Sequence, residues 1–206
     1  MHCAAPRFRP PRAGDPRRAG GPGGAWRLLV AACGLLAVLC GLPHARAADA
    51  ELTSFELVHN DEGLLLNYGV NLELPRSVDD ALGKAVPLFF VAEAEVFRNR
   101  FYWRDLRVGY AVRRWRIVFQ PLTTTYRVTF DGGLSQNYTT RAEALAAISR
   151  SARWKIAEPG QIEDGSRHYV EFSYRLDTSQ LPRPMQIGIG GQADWTISVQ
   201  RTQKIN

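Results

Sequence analysis

Cysteine is scarce. The 206-residue chain has three, and Cys3, Cys33 and Cys40 all precede residue 48. Beyond that point there is no thiol, which excludes a disulfide framework, a cysteine nucleophile and a cysteine-ligated metal from most of the chain. Histidine is also rare, because only His59 and His168 of the four lie past residue 48. A zinc site takes three or four ligands, usually with a close pair, so two histidines this far apart in sequence read as structural. A G-x-S-x-G elbow is missing, and no serine is marked as a nucleophile by its context. "GIGGQ" has the glycine of a phosphate loop, but "ADWTISV" after it reads as a strand, not as a helix whose N-terminus could hold an anion. No catalytic set, metal set or cofactor motif is therefore assigned.

A long leader is present. Residues 1–47 contain arginine-, proline- and glycine-rich sequence, then the apolar run "LLVAACGLLAVLCGL" from Leu28 to Leu42, then small residues with an A-x-A site at Ala45 and Ala47. This order matches a signal peptide, with cleavage expected after Ala47 or Ala48 and residues 48–206 left as a single exported domain. The alternative is an uncut inner-membrane anchor, although the run is shorter than the roughly 20 residues of a typical spanning helix. The leader also carries the charge. Seven of the 26 basic side chains and one of the 20 acidic ones lie in residues 1–48, so the remainder balances at 19 of each sign. A neutral exported domain gives no support to nucleic acid as a partner.

From Glu51 onward the dominant period is two. "ELTSFELV" and "GLLLNYGVNLEL" flank the turn cluster "HNDEG" and read as a hairpin, with Leu64, Leu66, Tyr68, Val70, Leu72 and Leu74 on one face. "PRSVDDALGKAV" predicts a short helix with Ser77 as its cap, Val78, Leu82 and Ala85 inward, and Pro87 as its stop. "PLFFVAEAEVFRNR" is the next strand, with Leu88, Phe90, Ala92, Ala94 and Val96 inward.

Its expected partner is the stretch from Phe97 to Phe119, which has seven arginines against the single acid Asp105. Leu106, Val108, Tyr110 and Val112 form an even-numbered apolar face, whereas Trp115, Ile117 and Phe119 are odd. The phase change predicts a β-bulge at Arg113 and Arg114, with Glu95 opposite Arg107 and Ala94 opposite Val108. "TTTYRVTF" adds a strand with Tyr126, Val128 and Phe130 on one side, and "GGLSQNY" a turn and a short strand. "TTRAEALAAISRSA" predicts a helix with a Thr140–Glu143 capping box and a stripe of Leu145, Ile148 and Ala152. "WKIAEPGQIEDG" reads as a strand fragment and loop, "RHYVEFSYRLD" as a strand with Val170, Phe172, Tyr174 and Leu176 on one face, "TSQLPRPMQIGIGG" as a connection, and "ADWTISVQ" as the closing strand. The expected class is α+β: strand-rich antiparallel sheets with two short helices, and a hint of two related β-β-α-β halves.

Two sets of residues invite a functional reading. Phe101, Tyr102 and Trp103, with Arg98, Arg100 and Arg104 around them, cannot all be buried on one face at a hairpin end. They read as a partner-docking, ligand-stacking or membrane-surface patch, or else as rings folded back over the end of the core. The second set is Glu93, Glu95, Asp105 and His168, which could assemble a hydrolase or small-ligand site if they met in one pocket. A lipid-binding cavity between sheet and helices is a further alternative, which periodicity cannot separate from a filled core.

"VPLFFVAEAEVFRNRFYWRD", "LTTTYRV", "RAEALAAI" and "LDTSQLPRPMQIG" followed by "DW" resemble the domain of unknown function 4390 family, which consists of exported proteobacterial proteins. The likeness runs from Glu51 to about Val199. It implies a periplasmic location and a bacterial source, and it supplies no catalytic residue. Members' genes often stand beside a nitrogen-regulation type sensor kinase, which implies an envelope accessory role with a protein partner. In a bacterial protein "NYT" at Asn137 is a strand followed by a helix cap, not a glycan acceptor. The expectation is thus a non-enzymatic periplasmic interaction domain working through the Arg98 to Trp103 hairpin end.

Overall fold

The computed structural model describes residues 50–205 except 164, 190 and 191. The expected signal segment and the two central glycines of "GIGGQ" lie outside the described residues. Among the described residues nine strands form two antiparallel sheets. The small sheet has the order β1 (Glu51–Asn60), β2 (Gly63–Asn71), β7 (Arg150–Ala157). The large sheet has the order β6 (Ser135–Tyr138), β5 (Thr125–Phe130), β4 (Leu106–Gln120), β3 (Leu88–Arg98), β8 (His168–Leu176), β9 (Ser198–Ile205). Three short helices, α1 (Arg76–Gly83), α2 (Arg141–Ile148) and α3 (Arg183–Ile189), join them. The expected α+β class holds, with one helix more than foreseen. Hairpin, helix, strand does occur twice in order: β1-β2-α1-β3 runs from the small sheet to the large, and β5-β6-α2-β7 from the large to the small.

The two sheets pack face to face over one core. Leu64, Leu66 and Tyr68 of β2 meet Phe90, Val170, Phe172 and Tyr174 of the large sheet, all buried. Tyr68 packs against Phe172 at 4.8 Å between ring centroids and against Trp154 of β7 at 6.0 Å. Period-two burial produces this layer: Leu88, Phe90, Ala92, Ala94 and Val96 are fully buried, and β8 alternates in the same way.

Strand β4 departs from the expected register. The extra residue is Val108, since Val96 pairs with Gly109 and Phe97 with Arg107. No bulge interrupts Arg113 and Arg114. Ala94 therefore faces Ala111, and Glu95 faces Tyr110. The inward row of β4 is Gly109, Ala111, Arg113, Trp115 and Ile117, so the even residues Leu106 and Tyr110 are exposed. An arginine thus points into the sandwich, which the polar-outside rule does not anticipate.

Helix α1 begins after Pro75, whose carbonyl accepts from the Val78 and Asp79 amides, and has no side-chain cap. Ser77 instead donates to Asp194 at 3.2 Å. Val78, Ala81 and Leu82 are buried, and Ala85, at φ 62°, ends the helix and is not part of its inner face. Helix α2 carries the expected capping box between Thr140 and Glu143. It stops at Ile148, and its buried residues are Ala144 and Ile148, while Ala152 belongs to β7. The stretch read as a plain connection contains α3, with the Gln186 side chain donating to the Leu181 carbonyl at 2.6 Å.

Candidate functional site

The β3–β4 hairpin ends in a loop that leaves the sheet. Past Arg98 the ladder stops, and Phe101, Tyr102 and Trp103 turn outward with 89%, 85% and 80% of their surface exposed. Phe101 and Tyr102 meet edge to face at 4.6 Å and 86°. The rings do not fold back over the core. Arg100 and Arg104 are also exposed, and among the described residues neither makes an ion pair. Arg98 sits lower, half-buried, and is paired with Glu163.

The loop has a braced neck. Asp105 accepts from the Arg100 amide at 3.1 Å through one carboxylate oxygen and from the Tyr169 hydroxyl at 2.8 Å through the other. Tyr169 stacks on Phe97 at 5.3 Å and 19°, and the Asn99 amide donates to the Arg167 carbonyl at 2.8 Å. Burial, then the hydrogen bond to Asp105, pushes the Tyr169 phenol up to about 12, so it stays protonated and donating at neutral pH. Both ends of the loop are thereby fixed to β8 and to the turn before it, which presents the rings without leaving the neck loose. Sequence reasoning found the rings and arginines but not the brace. Tyr169 lies 64 residues from Asp105 in the chain, and no local signal links them.

Below the neck, the outward face of the large sheet carries a polar ladder. Arg107 meets Glu95 at 2.5 Å and lies over the Tyr110 ring at 5.2 Å. Glu93 accepts from Arg175 at 2.5 Å and from Tyr110 at 3.4 Å. The Arg175 hydrogen bond holds the Glu93 carboxyl below the ordinary glutamate range despite some burial. Both glutamates are occupied by arginine, which is the bland role for charges on a solvated sheet face.

His168 lies on the other side of that sheet. It is buried in the row that continues through Val170 and Phe172, with Nδ1 3.2 Å from the Ser166 carbonyl. Asp105 is committed to the neck. The four residues of the hydrolase reading are thus divided between two faces of the sheet and the loop. Among the described residues no group of three or more His, Cys, Asp or Glu side chains is placed to hold a metal ion. Asn137 lies in β6 and accepts from Arg127 at 3.1 Å, just ahead of the α2 cap.

The seven arginines of the Phe97–Phe119 stretch therefore have different tasks. Arg98, Arg107 and Arg114 pair with Glu163, Glu95 and Asp131. Arg116 is exposed on the outer face, and Arg113 is inside the sandwich. Only Arg100 and Arg104 stand beside the exposed rings.

The chain matches no curated protein and no solved structure. A family model does match, over residues 47–205. The chain belongs to the family described as Domain of unknown function (DUF4390).

Proposed function

We propose that this protein is a non-enzymatic accessory domain, exported to the periplasm, that docks through the β3–β4 tip. The observation that carries the reading is the outward projection of Phe101, Tyr102 and Trp103 from a hydrogen-bonded neck. Exposing three adjacent rings forgoes burial worth on the order of 2 kcal/mol each. A loop braced on both sides holds that unfavourable arrangement in place. Contiguous exposed apolar surface with arginine at its edge is the composition of a binding hot spot. The leader supports export, and the gene neighbourhood implied by the family supports a role beside an envelope sensor system. The opposed placement of His168 and the two glutamates separates the residues on which the hydrolase alternative relies.

The test is a photoreactive residue at position 102, activated in the intact envelope, with the same probe at Leu122 as control. Leu122 is fully exposed at the β4–β5 turn and belongs to no proposed surface. Docking through the tip predicts a discrete adduct from position 102 that position 122 does not give. Equal, diffuse labelling from both positions would sink the proposal.

A further inference from the structure

We infer that the occupant of the tip is the headgroup region of an anionic bilayer, into which Phe101, Tyr102 and Trp103 insert while Arg100 and Arg104 lie against lipid phosphates. The inference rests on the docking reading above and names its partner. Three features favour lipid over a protein groove.

The first is shape. A ring retaining 80% or more of its surface stands on a protrusion with no wall beside it. A protein partner would have to supply a deep pocket fitted to three consecutive rings, whereas an interface of headgroups and upper acyl chains accepts them without a matched shape. The second is composition. Tyrosine and tryptophan carry an apolar body and a polar atom, the combination enriched at membrane–water boundaries, and phenylalanine adds an apolar face.

The third is charge. Asp105 is turned inward to the Arg100 amide and Tyr169, and Glu163 is paired with Arg98. Among the described residues Asp105 and Glu163 are thus engaged elsewhere, which leaves Arg100 and Arg104 to meet phosphate, the oxyanion that guanidinium suits best. The neck also matters, because a loop already held in its projecting form loses little conformational freedom on insertion. Among the described residues no helix is long and apolar enough to cross a membrane. The contact would be peripheral and reversible, as a single small apolar insertion gives.

Tryptophan fluorescence tests this directly. Trp115, Trp154 and Trp195 are buried, so Trp103 is the exposed tryptophan among the described residues. The protein recovered from the envelope in its native processed form, and its Trp103→Phe variant, are mixed with phosphatidylglycerol or phosphatidylcholine vesicles with or without brominated chains. The difference between the two proteins isolates the Trp103 emission. The expected result on phosphatidylglycerol is a blue shift, quenching by brominated chains and protection from acrylamide, all diminished by high salt. Partitioning of the triple variant Phe101→Ala, Tyr102→Ala, Trp103→Ala falls at least about tenfold with its thermal midpoint unchanged. Arg100→Gln with Arg104→Gln loses the preference for phosphatidylglycerol.

Trp103 emission unchanged on phosphatidylglycerol overturns the lipid inference. The crosslinking experiment then separates the two levels. A protein adduct from position 102 keeps the docking reading and replaces lipid by protein, and absence of any specific adduct removes both.

Discussion

The Arg113 guanidinium lies over the Trp154 indole, 5.2 Å from the ring centroid, and donates to the Ser151 hydroxyl at 2.6 Å. An arginine of β4 thereby bridges the two sheets from within. Burial lowers its proton affinity, although an arginine remains charged throughout the ordinary pH range. Replacement by alanine removes the stack, strands the Ser151 hydroxyl and opens a gap between the sheets. Arg113→Ala is expected to cost about 2 kcal/mol, whereas Arg113→Met, which fills the space without a charge to desolvate, should cost less than half of that. Urea denaturation of the two variants checks the order, and equal losses would show that the charge itself stabilises the sandwich.

At Gly109 strand β4 lies close against β7. A Cβ there would stand 2.7 Å from the Ile156 carbonyl oxygen and 3.0 Å from the Ala157 Cβ. Backbone cannot retreat as a side-chain end can, so Gly109→Ala should lose about 1–3 kcal/mol. Gly83, in the last turn of α1, has open space where its Cβ would be. Gly83→Ala should gain about 0.5–1 kcal/mol by restricting the unfolded chain. Thermal midpoints moving in opposite directions for the same substitution would bear out both contacts.

The neck predicts a local effect. Tyr169→Phe keeps the stack on Phe97 and removes the donor to Asp105, a loss of about 1 kcal/mol. Amide hydrogen exchange should accelerate for residues 99–105 while the centre of β3 stays protected. Acceleration spread evenly over the molecule would mean that the brace serves global stability and not the tip.

Three phenols set the alkaline limit. Tyr68 and Tyr174 are buried with no partner for their hydroxyls among the described residues, and burial raises both well above the ordinary tyrosine value of about 10. Tyr169 is raised to about 12. A folded state that holds a proton more tightly than the unfolded state is fully stabilised below the unfolded value and loses that stability as pH rises through the folded one. Stability should therefore be flat up to about pH 10 and fall steeply from there to about 12 and beyond. Phenolate absorbance should show these three groups ionising late, together with loss of near-ultraviolet dichroism. Early ionisation of all seven tyrosines with the fold intact would contradict the packing of Tyr68 and Tyr174.

Period-two burial made β2, β3, β5 and β8 legible, because the apolar residues of their inner faces recur at every second position, even where Leu65 and Val91 are buried out of phase. Strand β4 was read in the wrong register for a physical reason. Alternation assigns every arginine to solvent, so the inward Arg113 looked like a phase break, when the extra residue was Val108 twelve positions from the matching Gln120 end of the strand. Ser77 has the spacing of a cap, yet its hydroxyl is engaged by Asp194, 117 residues on, and Pro75 starts the helix by itself. Helix α3 was invisible because "RPMQIGI" has proline and glycine and rests on the core only through the partly buried Met185 and Ile189. The rings of the tip were legible as a problem of burial, since three neighbours cannot share one face. That the chain resolves it by turning all three outward depends on Tyr169 and Arg167, which arrive much later in the sequence.

The alternate crossing between sheets also governs how this chain can fold. Neither sheet is assembled from one contiguous stretch: β7 completes the small sheet begun by β1 and β2, and β8 pairs with β3 across a separation that joins Leu176 to Phe90. Until the last third of the chain is available, β3, the most apolar strand, has one edge open. Long-range pairing of this kind places folding on the millisecond-to-second scale. A chain made available from its N-terminus would spend that interval with one edge of its central strand unpaired, in need of a chaperone or of swift delivery of its C-terminal third.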